Sequence, residues 1–249
     1  MMMNERIALV TGASRGIGAA TAKLLAAHGA AVAVNYHGNE AAAKDVVATI
    51  EDAGGRAVAI QADVRDRAQV DAMVERATAE LGPIDTLVIN ASIRFPIVPF
   101  VDYDWAAFEA KLLGELGAAF HCAKAVTPGM IERGSGCLIA VSSGLSRHPG
   151  PGFCAHSTAK SGLDAFAKSL ALELGPHGIR VNVVAPGLTI TDATAFMPEE
   201  QKQAMARMTP LGRNALPEDV AGVVLAMASD ATAFVSGAYV PVSGGSQMP

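Results

Sequence analysis

Apolar residues along this chain follow two rhythms. Short, nearly continuous β-branched runs occur at Arg6–Thr11, Ala31–Tyr36, Val58–Gln61, Thr86–Asn90, Gly136–Ser142 and Ile179–Ala185. Runs of this kind, bounded by glycine or polar residues, predict strands buried on both faces of a parallel sheet. Between them, apolar positions recur at helical spacing over Ile17–His28, Glu40–Ala53, Arg67–Leu81, Trp105–Arg133 and His156–Leu174. Pro217–Ser229 predicts a further helix, with Pro217 suited to its first turn, and Ala238–Val242 a last short strand. This alternation predicts an α/β fold, a doubly wound parallel sheet in three layers. No repeat, linker or low-complexity stretch breaks the pattern, so residues 1–249 are expected to form a single domain. The segment 189–208 is the least regular. It carries Met197-Pro198 and then a short polar helix, and it reads as a lid over a site.

Composition narrows the function. Hydrophobic residues make up 51% of the 249 and charged residues 17%, enough apolar material for a large core. A net charge of −5 with no basic tail argues against a nucleic-acid partner. No apolar run reaches the roughly 18 residues that cross a bilayer, and no membrane partner is expected. The start, Met-Met-Met-Asn-Glu-Arg, has no apolar core of a signal peptide. Cys122, Cys137 and Cys154 lack metal-ligand spacing and are expected to be free thiols in a reducing compartment. The expected location is the cytoplasm, and no metal is expected.

The first candidate chemistry lies after the first strand, in Thr11-Gly12-Ala13-Ser14-Arg15-Gly16-Ile17-Gly18, which opens a helix. Glycines there let the backbone approach a pyrophosphate, and the helix N-terminus offers it free N–H groups and a positive dipole end. In this strand-to-helix context the pattern predicts dinucleotide binding on a Rossmann-type sheet.

The three-residue gap between the first two glycines resembles the short-chain dehydrogenase/reductase family, and the resemblance extends along nearly the whole chain. Ala62-Asp63-Val64 resembles the family's adenine contact, made by the Asp63 side chain and the Val64 backbone. Asn90-Ala91-Ser92 resembles its Asn-Ala-Gly turn, with Ser92 in place of glycine. Ser142-Ser143, Lys160, Arg180-Val181-Asn182, Pro186-Gly187 and Thr191-Asp192 also match, as does the ending from Leu211-Gly212-Arg213 to Val242-Ser243-Gly244-Gly245. The nearest flavour is the bacterial 3-oxoacyl-carrier-protein reductase branch. The resemblance implies cofactor contacts at Gly12, Ser14, Arg15, Gly16, Ile17, Gly18, Asn35, Tyr36, His37, Asp63, Val64, Asn90, Ala91, Ser92, Lys160, Pro186, Gly187, Thr189 and Thr191. An acid after the second strand would favour NAD(H). Here Asn35-Tyr36-His37-Gly38-Asn39 holds none before Glu40, and Arg15 could meet a 2′-phosphate, so NADP(H) is the expected cofactor.

In the family, a tyrosine transfers the proton, a lysine holds the nicotinamide ribose and lowers the tyrosine pKa, a serine bonds the substrate oxygen, and an asparagine supports a water relay. Ser143 and Lys160 match. The tyrosine position is His156, and the asparagine position falls on Glu115 in Glu115-Leu116-Gly117-Ala118-Ala119-Phe120. These four are the candidate catalytic residues. Histidine is a competent acid or base with an ordinary pKa of about 6.5. Lys160 should push it down and Glu115 should pull it up, so the two departures are expected to be coupled. An imidazole nitrogen also stops roughly 2 Å short of a phenol oxygen, so a substrate must sit deeper or a water must bridge.

Arg94, Phe95, Leu145, Phe153, Leu188 and Phe196 are expected to line the pocket for a small-molecule substrate, apolar with one polar or anionic end. The leading expectation is NADP(H)-dependent reduction of a C=O or a C=N bond. The alternatives are a non-redox isomerase, lyase or cyclase on the same scaffold, or a nucleotide-binding protein without catalysis. The resemblance implies pairing through the two long helices, whose surplus alanine and leucine fit an interface, and a homotetramer is the expected assembly.

Overall fold

The computed structural model describes residues 1–248. Seven parallel strands form one sheet: β1 (Ile7–Val10), β2 (Ala31–Tyr36), β3 (Arg56–Gln61), β4 (Thr86–Ile89), β5 (Gly136–Val141), β6 (Ile179–Pro186) and β7 (Tyr239–Val242). Their order is β3-β2-β1-β4-β5-β6-β7, so the winding reverses between β1 and β4. The helices are α1 (Gly16–Ala27), α2 (Glu40–Asp52), α3 (Arg67–Leu81), α4 (Trp105–Arg133), α5 (Cys154–Leu174), α6 (Glu199–Met208) and α7 (Pro217–Ala228).

The apolar runs become strands because both of their faces are covered. Along β1, Leu9 faces the core layer under α3, α4 and α5, while Ala8 and Val10 face the layer under α1, α2 and α7. The same alternation separates Leu138 and Ala140 from Cys137 and Ile139 on β5. Burying each such valine, leucine or isoleucine stabilises the fold by about 1.5–3 kcal/mol. Helix starts follow local polar chemistry. Asn39, Asp66 and Asp104 accept hydrogen bonds from the first-turn N–H groups of α2, α3 and α4.

The expected elements are all present, with shifted ends. β1 is trimmed to Ile7–Val10, β3 starts two residues earlier than expected, and α5 starts at Cys154. The early start of α5 puts His156 inside its first turn, after a turn closed by the Phe153 N–H on the Gly150 carbonyl. Segment 189–208 contains a short 3-10 turn at Asp192–Thr194 and then α6.

The reversal of winding leaves a crevice beyond the ends of β1 and β4, the place where open α/β sheets take ligands. Chain segments meet there closely. A Cβ at Gly18 would lie 2.5 Å from both Asn90 Nδ2 and the Gly12 carbonyl oxygen, and 2.9 Å from Ala13 Cα. Gly18→Ala is therefore expected to destabilise the fold by about 1–3 kcal/mol through overpacking. Urea unfolding of the variant beside the wild type checks this; equal midpoints would show that the contact relaxes freely.

Candidate active site

The glycine loop is held open from beneath. Asn35 lies at the end of β2, buried, with its side-chain oxygen accepting from the Gly12 N–H at 3.1 Å and its amide donating to the Ala62 carbonyl at 3.1 Å. Asn90 donates to the carbonyls of Thr11 and Gly12 at 2.9 and 3.2 Å. Gly12 and Gly16 take positive φ, at 61° and 55°, where a side chain would be strained. The loop delivers Arg15 to the N-cap of α1, and no side chain caps that helix. The N–H groups of its first turn are thus left for an anion. A Cβ at Gly16 would sit 3.4 Å from Thr191, which brings the glycine loop and the segment after β6 together. A backbone cradle that a Cβ would fill, closed by an uncapped helix end, fits the pyrophosphate of a dinucleotide.

Two of the residues expected at the cofactor, Asn35 and Tyr36, turn their side chains into the protein, which leaves their backbone for any such contact. Asn35 is 2% exposed and braces the loop from below. Tyr36 packs into the core layer beneath α1 and α2. Both lie on a strand covered on its two faces, so their side chains turn inward. Asp63 and His37 do meet, at 3.7 Å. Arg65 grips the Asp63 carboxylate at 2.6 Å and holds its pKa down to about 2. Val64 is buried beside Asp63. Ser14, Ile17, Ala91 and Gly187 are half-buried, with Ile17 packed on the core layer beneath α1 and Ala91 on the opposite layer. Pro186 ends β6, and the Gly187 N–H donates to the Val242 carbonyl at 3.0 Å. Thr189 turns its hydroxyl back onto the Gly187 carbonyl at 3.2 Å.

Beyond the crevice lies a buried charge cluster. The Glu115 carboxylate reaches Lys160 Nζ at 2.7 Å through one oxygen and Lys111 Nζ at 2.6 Å through the other. Lys160 also donates to the Val141 carbonyl at the end of β5, at 2.7 Å. Lys111 donates to the Ile93 carbonyl at 2.8 Å and to Ser92 Oγ at 3.1 Å. The Glu115 carboxylate also accepts from the Ile93 N–H at 3.0 Å. Lys111 is fully buried, and Glu115 and Lys160 are each 3% exposed. Burial pushes the Glu115 pKa up, but the two ammonium groups outweigh it and hold it at about 2. Burial lowers Lys111 to about 8, against the opposing pull of Glu115. The sequence reading missed Lys111. Its only sequence signal was a Lys-Glu pair four residues apart on a helix, a spacing that is usually solvated.

Ser143 follows β5, half-buried, with its Oγ accepting from the Leu145 N–H at 3.2 Å. Below it, the Tyr239 hydroxyl bonds the Ser143 carbonyl at 3.4 Å, and Ser146 Oγ donates to the buried Asp164 carboxylate at 2.6 Å. His156 stacks on Phe95, with centroids 4.7 Å apart and planes at 17°, while Phe153 meets it edge-on at 6.4 Å. Its Nδ1 is buried with no hydrogen-bond partner among the described residues. Of the remaining expected pocket residues, Leu145 and Leu188 are half-buried. Arg94 and Phe196 are exposed, Phe196 at 64%.

The expected coupling of Glu115 to a charged His156 is not what this geometry supports. Both Glu115 oxygens are engaged by lysines. Burial first, then Lys160 and Lys111, depress the His156 pKa to about 3, with Glu115 only weakly opposing. The imidazole is neutral at physiological pH. In the unfolded chain it would take up a proton near 6.5, so this group's penalty to stability is absent above that value and grows as pH falls toward 3.

A family model described as enoyl-(acyl carrier protein) reductase matches residues 12–247. The cis-4-hydroxycyclohexanecarboxylate dehydrogenase of Sinomonas cyclohexanicum is 42% identical over 241 residues, 97% of this chain and 96% of that protein. The 3-oxoacyl-[acyl-carrier-protein] reductase of Staphylococcus aureus N315 is 36% identical over 249 residues, 99% of this chain and 100% of that protein. A crystal structure of a protein assigned as a short-chain alcohol dehydrogenase from Sinorhizobium meliloti 1021 superposes with a TM-score of 0.92 at 36% identity. That match covers 98% of this chain and 97% of the other.

The His156 imidazole signals are expected to stay flat in an NMR titration from about pH 5 to about pH 9, the range where an unperturbed histidine changes charge. A transition near 6.5 or above would mean that Glu115 governs the ring after all.

Proposed function

This chain belongs to the short-chain dehydrogenase/reductase family of nicotinamide-dependent oxidoreductases, and on that premise we propose that it is an NADP(H)-dependent reductase of a carbonyl group with a neutral histidine at the reacting oxygen. The observation that carries this reading is the buried Lys111–Glu115–Lys160 cluster, two ammonium groups against one carboxylate. Its surplus positive charge favours a substrate oxygen that becomes negative. It disfavours a cationic iminium, so C=O reduction is preferred here over C=N reduction.

Bound NADPH supplies a hydride to the carbonyl carbon. As the C=O π bond breaks, its electrons settle on oxygen. The Ser143 hydroxyl and a His156 ring N–H are the donors available to that oxyanion, and a fixed donor of this kind is worth about 10²–10³-fold in rate. A neutral imidazole serving as a hydrogen-bond donor has a precedent in isomerase chemistry. The ring is neutral near pH 7 and carries no imidazolium proton to give, so the alkoxide takes its proton from a solvent water and the hydroxide left is neutralised by bulk solvent. Lys160 is available to hold the nicotinamide ribose. The preference for NADP(H) rests on Arg15, exposed at the N-cap of α1 with no ion-pair partner among the described residues. The first acid after β2, Glu40, is tied to Lys44 at 2.8 Å.

Absorbance assays of NADPH oxidation over a ketone panel test this reading. The wild type is expected to turn over ketones but not cyclic imines, with tighter binding of NADPH than of NADH. His156→Ala should lose about 10²–10³-fold in kcat while holding NADPH within a few-fold. Tight NADPH binding without turnover on any ketone, or full activity of His156→Ala, would overturn the mechanism in favour of a non-redox role or a silent nucleotide binder.

We also propose a homotetramer, supported by apolar side chains left uncovered on the two long helices. Leu113 and Phe120 on α4 are 64% and 49% exposed, and Leu172 on α5 is 80% exposed. Light scattering should report four times the chain mass; a monomer would refute it.

A further inference from the structure

Against the expected catalytic groups Glu115 and Lys160 lies a further buried charge, Lys111, that the reading above gives no role of its own. Lys111 lies on α4 one turn before Glu115 and is sealed from solvent. A buried ammonium is costly unless it is fully paired, and this one has three partners: Glu115, the Ile93 carbonyl and Ser92 Oγ. It also sits 5.0 Å from the centroid of Phe95, on which His156 stacks. Lys111 thus touches both the carboxylate that meets Lys160 and the ring that backs His156.

Counting charge shows what it does. Glu115 with Lys160 alone would be a neutral pair, and Lys160 would present little field to an oxyanion. With Lys111 the cluster carries one surplus positive charge. We propose that Lys111 is a positioning residue of this active site, which fixes Glu115 against Lys160, seats the Phe95–His156 stack, and keeps the buried cluster at a net charge of +1. This rests on the carbonyl-reductase reading above and adds to it the residue that sets the electrostatics of the site.

The charged groups facing Lys111 are Glu115 on its own helix and Lys160 on α5; neutral His156, also on α5, lies beyond Phe95. From the loop before α4, Ser92 Oγ, the Ile93 carbonyl and the Phe95 ring meet it, while Arg94 on the same loop is exposed. The Asp63–Arg65 ion pair lies farther along, with the Arg65 stem 3.5 Å from a Cβ built at Gly114. Burial lowers the Lys111 pKa to about 8, so the surplus charge is expected to disappear as pH rises through that value.

A charge-restoring cycle tests the proposal. Lys111→Met brings the cluster to neutral, Glu115→Gln brings it to +2, and the double variant returns it to +1. Lys111→Met is expected to lose about tenfold or more in kcat/KM at pH near 7, and the double variant to regain most of it. Coupling of that size is typical of packed charges in one network. The wild-type kcat/KM should fall on an alkaline limb near 8 and converge on the Lys111→Met value, whose own profile should lack that limb. A purely structural lysine would show the cycle in the unfolding midpoint and leave the pH limb in place; that result overturns the proposal. So does additivity of the two single variants in kcat/KM. If no ketone is reduced, the carbonyl reading fails separately. The proposal about Lys111 is then read from the pH dependence of NADPH affinity in the same four proteins. A limb near 8 that Lys111→Met abolishes supports it, and profiles identical in all four overturn it.

Discussion

The site depends on one carboxylate staying ionised where almost no water reaches it. Glu115 can do so because two ammonium groups lie within 2.7 Å, one on its own helix and one on the next. Removing a single member of such a buried set costs more than the set contributes, since an unpaired charge remains. The packing of α4 against α5, the end of β5 and the turn before α4 are therefore tied together by charge as well as by apolar burial. Lys160 is fixed by the Val141 carbonyl below and Glu115 beside it, with little freedom to wander.

The second constraint is backbone crowding at the reversal of the sheet. Asn35 and Asn90 hold the loop that carries Gly12 and leads into α1, and neither Gly12 nor Gly18 in the first turn of α1 has room for a side chain. This scaffold leaves α1 uncapped and its first N–H groups free. The crevice expected to take the cofactor and the charge cluster share Ser92 and Lys160, so a change in one is felt in the other.

Neutrality of His156 follows from that arrangement. Half-buried against Phe95, with its Nδ1 unpartnered among the described residues and two lysines in the cluster beside it, the ring sits where a positive charge is opposed. A field that opposes a charged imidazole also favours a negative oxygen placed beside it. In the mechanism proposed above, this makes the ring's N–H a donor rather than a proton source.

The sequence by itself determined the doubly wound sheet, because strands buried on both faces and helices buried on one leave unlike apolar periods. It determined the glycine loop for a similar reason: a strand, a tight turn and a helix start impose residue types locally. Family resemblance then located Ser143, His156, Lys160 and Glu115. Tertiary structure alone decided their electrostatics. Whether Glu115 would face His156 or Lys160 depends on how α4 and α5 cross, and Lys111 looks like an ordinary solvated lysine until that crossing buries it. Asn35 and Tyr36 were legible as the end of a strand, but the direction of their side chains was set by the layers packed above and below. Local pattern fixes which elements form; charge and orientation in the site depend on contacts between residues far apart in the chain, which no local pattern encodes.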